Sequence, residues 1–303
     1  MFHKKSHQKG LLILILAYFT FGPNKTKAAS TMMHAYIAHM FLEECDSFTK
    51  KQKTDFILGN LFPDIQKLAK NKVKTFHFTL LPRGTELMPS PPTIKDVTTA
   101  QTPFMAGIML HSFVDNKRNY LLKEGWKKKA LSETDWLYLS RSEKEKIKSE
   151  KMHPILEKLK KHNNKHNLLK FVEDEILFSK LPDTLKHNDW NILAIDPIPE
   201  ETRFVAQDKV LQWRHLTDTQ LRMTPGEMFS LISSSGLSDA KKSEFGRSCL
   251  KYSDETLQEW SEILPELAED KEIQEHTWNL IKQFKKEFDE HSKNGAFSLP
   301  KSK

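Results

Sequence analysis

Apolar residues in the last third of this chain recur every three to four positions. Leu257, Trp260, Leu264, Leu267, Trp278, Ile281, Phe284 and Phe288 fall on one helical stripe between about 254 and 291. The same period marks 104–122, and His34, Ile37 and Phe41 share a face within 32–45. No stretch shows the strict alternation of a half-buried strand. The expected fold class is therefore all-α. Prolines punctuate it. Residues 51–61 read as a short helix ending at Pro63. Residues 80–103, with Pro82, Pro89, Pro91, Pro92 and Pro103, read as a loop. Pro154 suits the first turn of a helix over 154–180. Pro182, Pro197 and Pro199 make 181–203 an extended connection. Thr224-Pro225-Gly226-Glu227 is a capping pattern with Pro just inside the helix, and Gly236 is a suitable stop. Ser132 is a further cap, and 141–151 is a charged, solvated stretch.

The first 30 residues have the layout of a secretory signal. His3–Gly10 is basic, and Leu11–Phe21 is a hydrophobic run of eleven. Gly22-Pro23 breaks that run, and Ala28-Ala29-Ser30 offers small residues before a cut at Thr31. Eleven residues reach about 16 Å as a helix, roughly half a bilayer core, so the run suits a leader better than an anchor. The expected product is a secreted or periplasmic, soluble chain beginning near Thr31. The formal charge is +7, but residues 1–30 hold five lysines and no acid. Without them 42 basic residues face 40 acidic ones, leaving +2. That near-balance gives no case for nucleic-acid binding by the body of the protein. With only Cys45 and Cys249, there is no thiolate zinc motif, and their pairing stays open. The chain is long enough for a single domain over 31–303, with 204–303 as a helical C-terminal extension to the part carrying the chemistry. Glycine is scarce, and neither a phosphate-cradling loop nor a Gly-x-Ser-x-Gly elbow occurs.

Any metal site must then be built from histidine and carboxylate. His111 and Asp115 lie one turn apart on the helical face that Phe104 and Ile108 continue. Gly107, one turn earlier, would admit a close neighbour. His34 lies on the apolar face of the first helix, whereas His39 points away from it. Asp64 directly follows Leu58-Gly59-Asn60-Leu61-Phe62-Pro63, and His77 sits between Phe76 and Phe78. By itself each has an ordinary explanation. His111 with Asp115 reads equally as a hydrogen-bonded core pair, His34 and His77 as core histidines, and Asp64 as a turn aspartate.

Taken in order, these residues resemble the zinc-dependent phospholipase C family of bacteria. That family has an early His, a Gly-x-x-x-Pro-Asp segment, a His about a dozen residues on, and a Gly-x-x-x-His-x-x-x-Asp helix. The N-terminal domain of glycosylphosphatidylinositol-specific phospholipase D and the single-strand-specific zinc nucleases are similar. The resemblance covers about residues 32–122. It implies an all-helical bundle with metals at the bottom of a cleft. It also implies Asp64, His77, His111 and Asp115 as ligands of a central zinc, with Asp115 bridging to a second ion that takes His34. The mature N-terminal residue, here Thr31, would complete that second site with its amine and carbonyl.

Zinc lowers the pKa of bound water to about 7, and two cations can clamp a phosphate ester. Asp64 is the expected orienting group for the water. A third metal would need a His six residues after Asp115, where Leu121 stands. His153 with Glu157, read as a surface pair, and His166 with Glu173 are the substitutes to consider. One or two zinc ions are therefore expected. The leading expectation is an exported metal-dependent hydrolase of phosphate esters, acting on a phospholipid in peripheral contact with a membrane. Leu80, Leu81, Leu87 and Met88 would give the site an apolar rim. The alternatives are a non-catalytic, metal-stabilised binding protein and a single-strand nuclease. Five retained ligands argue against a purely structural site, which needs four and is closed.

Overall fold

Capping chemistry decides where the helices begin. The computed structural model describes residues 30–44, 48–67, 92–121, 154–187 apart from 163, 205–242 apart from 235, 240 and 241, and 252–293. Helix α1 (Thr31–Glu43) is followed by α2 (Lys50–Leu61) and a 3₁₀ turn over Phe62–Lys67. Next come α3 (Ile94–Thr99) and α4 (Pro103–Leu121). Then follow α5 (Pro154–Lys158), α6 (Lys165–Phe178) and α7 (Asp183–Lys186). The series closes with α8 (Gln207–Arg222), α9 (Pro225–Ser233), α10 (Asp254–Glu269) and α11 (Lys271–Lys293). Every regular element among the described residues is helical, and the fold class is all-α. Thr49, Thr93 and Thr224 each open a helix with a complete capping box, closed by Gln52, Asp96 and Glu227. None of these helices is long and apolar enough to cross a membrane.

Several boundaries differ from expectation. The loop read over 80–103 contains α3, because the Thr93–Asp96 box starts a turn in its longest stretch free of proline. Pro103 does not belong to that loop either. It opens α4, where its missing N–H costs nothing, and Thr102 caps Met105 N at 3.2 Å. The helix expected over 154–180 is two, α5 and α6, separated by a turn in which Asn164 takes a left-handed φ of 56°. Such a residue cannot continue a right-handed helix. The stripe over 254–291 is likewise broken. Asp270 turns extended, and its Oδ1 accepts the N–H groups of Glu272 and Ile273, starting α11 afresh. The start of the 181–203 connection holds the short α7. Cys45, Cys249, Ser132, 141–151, His153, the loop leucines with Met88, and the leader before Ser30 lie outside the described residues.

Buried apolar side chains form two clusters. The larger joins α1, α2 and α4 to residues from α8 and α11, including Trp213, Phe284 and Phe288. Phe41 stacks on Phe56 at 5.1 Å and meets Phe288 edge-on. The smaller cluster packs α6 against α9 and α10 around Trp260 and Phe229, and Trp278 touches both clusters. Helices beyond residue 204 therefore supply part of the core that surrounds the site.

The pair α2–α4 fixes the site. A Cβ at Gly59 would lie 1.9 Å from the Phe104 carbonyl oxygen, and one at Gly107 would lie 2.1 Å from that of Phe56. The two helices cross backbone on backbone, as the glycine one turn before His111 suggested. No other residue could stand at either position without separating them.

Candidate metal centre

The close crossing brings Asn60 of α2 against α4. Its amide donates to the Gly107 carbonyl at 3.2 Å, and its own backbone carbonyl faces His111 Nδ1 at 2.6 Å. A carbonyl only accepts, so Nδ1 of His111 carries the proton. In the neutral ring the lone pair is then on Nε2, which faces Asp115 Oδ2 at 3.5 Å. A lone pair and a carboxylate oxygen repel unless a proton or a metal cation lies between them.

His34 arrives from α1. Its ring stacks on that of His111, with centroids 3.7 Å apart and planes 9° from parallel. Its Nε2 lies 3.1 Å from Asp115 Oδ1, so Asp115 turns one oxygen to each imidazole. Both histidines are fully buried and Asp115 is nearly so. His34 Nδ1 is buried with no hydrogen-bond partner among the described residues. The ligand atoms of His34, His111 and Asp115 all lie within 4.8 Å of one another.

The electrostatics separate the two rings. Burial, followed by the neighbouring His111 charge, pushes His34 down to about 4 despite Asp115. Burial also works against the His111 cation. There, however, the charge and hydrogen bond of Asp115, helped by Asp64 and by the Asn60 carbonyl, outweigh it and raise the pKa. The surroundings thus favour a proton on His111 over one on His34. A divalent ion could take the same place. Two imidazole nitrogens with carboxylate oxygens are a donor set that suits zinc. The buried trio therefore fits a metal ion.

Of the five expected ligands, three are brought together. Asp64, in the 3₁₀ turn after α2, is buried, and its charge acts on both rings, but it does not join the 4.8 Å group. His77 lies outside the described residues. The candidates for a third metal are engaged elsewhere or absent. Leu121 is buried apolar surface, and Glu157 is on the surface beside Lys160. Glu173 is buried, but Arg118 holds it through Nε and Nη2 at 2.9 and 2.6 Å. His166 is half-buried and is not part of the group. His39 is partly exposed and pairs with Glu43 at 3.4 Å.

Sequence reasoning missed Asn60, although an Asn beside Gly59 in an apolar helix is a signal that some buried group needs it. It also missed Asp174, which accepts hydrogen bonds at the start of α1. No family model, curated protein or solved structure matches this chain.

Proposed function

We propose that the protein is a metal-dependent hydrolase of phosphate esters, phospholipase C-like, that acts after export. The observation that carries this reading is the buried trio in which two parallel imidazoles converge on the two oxygens of Asp115. A carboxylate with one oxygen toward each of two neutral nitrogen donors is suited to hold one cation or to bridge two. Asp64 supplies further negative charge from the end of α2, and His77 completes the set that the resemblance implies. A zinc ion bound here supplies Lewis acidity toward a phosphate ester. The chain's own residues do the positioning. Asn60 fixes the His111 tautomer with its lone pair inward, and burial keeps His34 neutral at physiological pH. Asp64 is assigned the orientation of the attacking water. The near-neutral body and the apolar loop residues favour a phospholipid over a nucleic acid as substrate.

The second reading is a metal-stabilised binding protein without catalysis. One observation favours it: the Arg118–Glu173 ion pair occupies a carboxylate that a third metal would need. Hydrolysis separates the two. Mature protein supplied with zinc should cleave a phosphodiester such as phosphatidylcholine at its headgroup. Asp115→Asn should lower that rate by at least about a thousandfold while the chain still folds. Glu157→Gln, at the surface, should leave it unaltered. A wild-type protein that binds zinc and hydrolyses no phosphodiester would favour the binding reading.

A further inference from the structure

A second buried carboxylate lies close to the site, and the metal chemistry does not use it. Asp174, on α6, is 4% exposed. It accepts a hydrogen bond from the Ser30 hydroxyl, from the backbone N–H of Met33 at 3.1 Å, and from that of Met32. Ser30 is the N-cap residue of α1 but makes no side-chain cap bond of its own. Asp174 caps the helix from outside by gathering the amides of its second and third residues. It has no cationic partner among the described residues, whereas its neighbour Glu173 has Arg118. Burial above all, with the charge of Glu173 added to it, pushes the Asp174 carboxyl up to about 7 against the hydrogen bonds it receives. A carboxylate taken out of water without a countercharge is costly.

Leader removal can supply that countercharge. Hydrolysis of the Ser30–Thr31 peptide bond by a leader-processing peptidase consumes one water. It leaves a carboxylate on the released leader and an α-ammonium on Thr31. Thr31 is the first residue of α1, and in a helix the first three N–H groups all project from the N-terminal end. The new ammonium therefore forms beside the amides that Asp174 already binds. Thr31 is anchored independently, its hydroxyl donating to Gln220 Oε1 on α8 at 3.0 Å.

We propose that leader removal completes this site: the Thr31 α-ammonium pairs with Asp174, takes the place of the Ser30 hydroxyl, and locks the helix that carries His34. The inference rests on the export reading and not on the hydrolase reading. It assigns the new amine to Asp174, whereas the family resemblance implies a metal.

Thermal unfolding in a chelator keeps the metal out of the comparison. It is applied to chains beginning at Thr31 and at Ala28, each with and without Asp174→Asn. The Thr31 chain should melt about 5 °C or more above the longer one, and the gap should fall to about 1 °C with Asp174→Asn. N-terminal acetylation of the Thr31 chain, which needs no substitution, should lower Tm as the extension does. An equal gap in both backgrounds would overturn the proposal. So would a gap seen only with zinc present, or an exported protein whose first residue is not Thr31. Loss of hydrolase activity in any of these chains would bear on the metal site and leave the Tm comparison intact.

Discussion

At the scale of single residues, a buried charge dictates a neighbour. His111 needs Asn60 to hold its proton outward, His34 and His111 need Asp115, and Asp174 needs a donor at the start of α1. Asp174 leads to a pH prediction. While the Ser30–Thr31 bond is intact, its carboxyl titrates at about 7 folded against 3.8 ordinarily. Between those values the folded state binds the extra proton, so this group's contribution is fullest below about 4 and declines as pH rises toward 7. His34, pushed down to about 4, has the opposite sign: the unfolded chain takes up its proton first, and stability falls as pH drops below about 6.5. The uncleaved protein minus its Asp174→Asn variant isolates the first effect. That difference in Tm should shift against the wild type by about 5 °C between pH 5 and 7. His34, His111 and Asp115 were legible in the sequence because chemistry-bearing residues stood at helical spacing in apolar surroundings. Asn60 and Asp174 were not, because each acts through a partner on another helix, and single-chain spacing carries no information about which helices meet.

At the scale of elements, the site depends on how closely α2 and α4 approach. Gly107→Ala would ordinarily stabilise a helix interior by about 1 kcal/mol. Here the added methyl would lie 2.1 Å from the Phe56 carbonyl oxygen and force the helices apart. The variant should lose about 2–4 kcal/mol in denaturant unfolding and bind metal more weakly, since Asn60 would move off His111. A neutral or stabilising result would show that the crossing tolerates a larger separation. The helical stripes were readable from periodicity, as was the start of α9 at Thr224. The breaks at Asn164 and Asp270 were not. Each is a local competition between a side-chain cap and a continuing helix, decided by what packs around it. The proline-rich stretch misled in the other direction, since Thr93 and Asp96 were enough to start α3 between two prolines.

At the scale of the whole molecule, a buried ion pair among the described residues lies where the two apolar clusters meet, in addition to Trp278, which touches both. Arg118 extends from α4, in the larger cluster, to Glu173 on α6, which gives Leu177 to the larger cluster and Leu168, Leu169, Val172 and Ile176 to the smaller. His276 of α11 approaches the other Glu173 oxygen at 3.9 Å. Burial raises the Glu173 pKa against the pull of Arg118, so an unpaired Glu173 would be expensive. Arg118→Met alone should therefore cost about 3–5 kcal/mol in denaturant unfolding, and adding Glu173→Met should recover most of it. Equal losses in the single and double variants would mean that packing, not charge, makes the link. The helices after residue 204 close around α1 and α4, and the sequence read them as an extension because nothing local ties them to the site. His34, His111 and Asp115 are proposed to hold a metal ion in the core of this bundle. Metal content of the purified mature protein, measured by mass spectrometry beside His111→Ala, tests that proposal most directly. One or two zinc ions per chain, lost in the variant, is the predicted result. A wild-type chain without metal, or a variant that keeps its full complement, would contradict it.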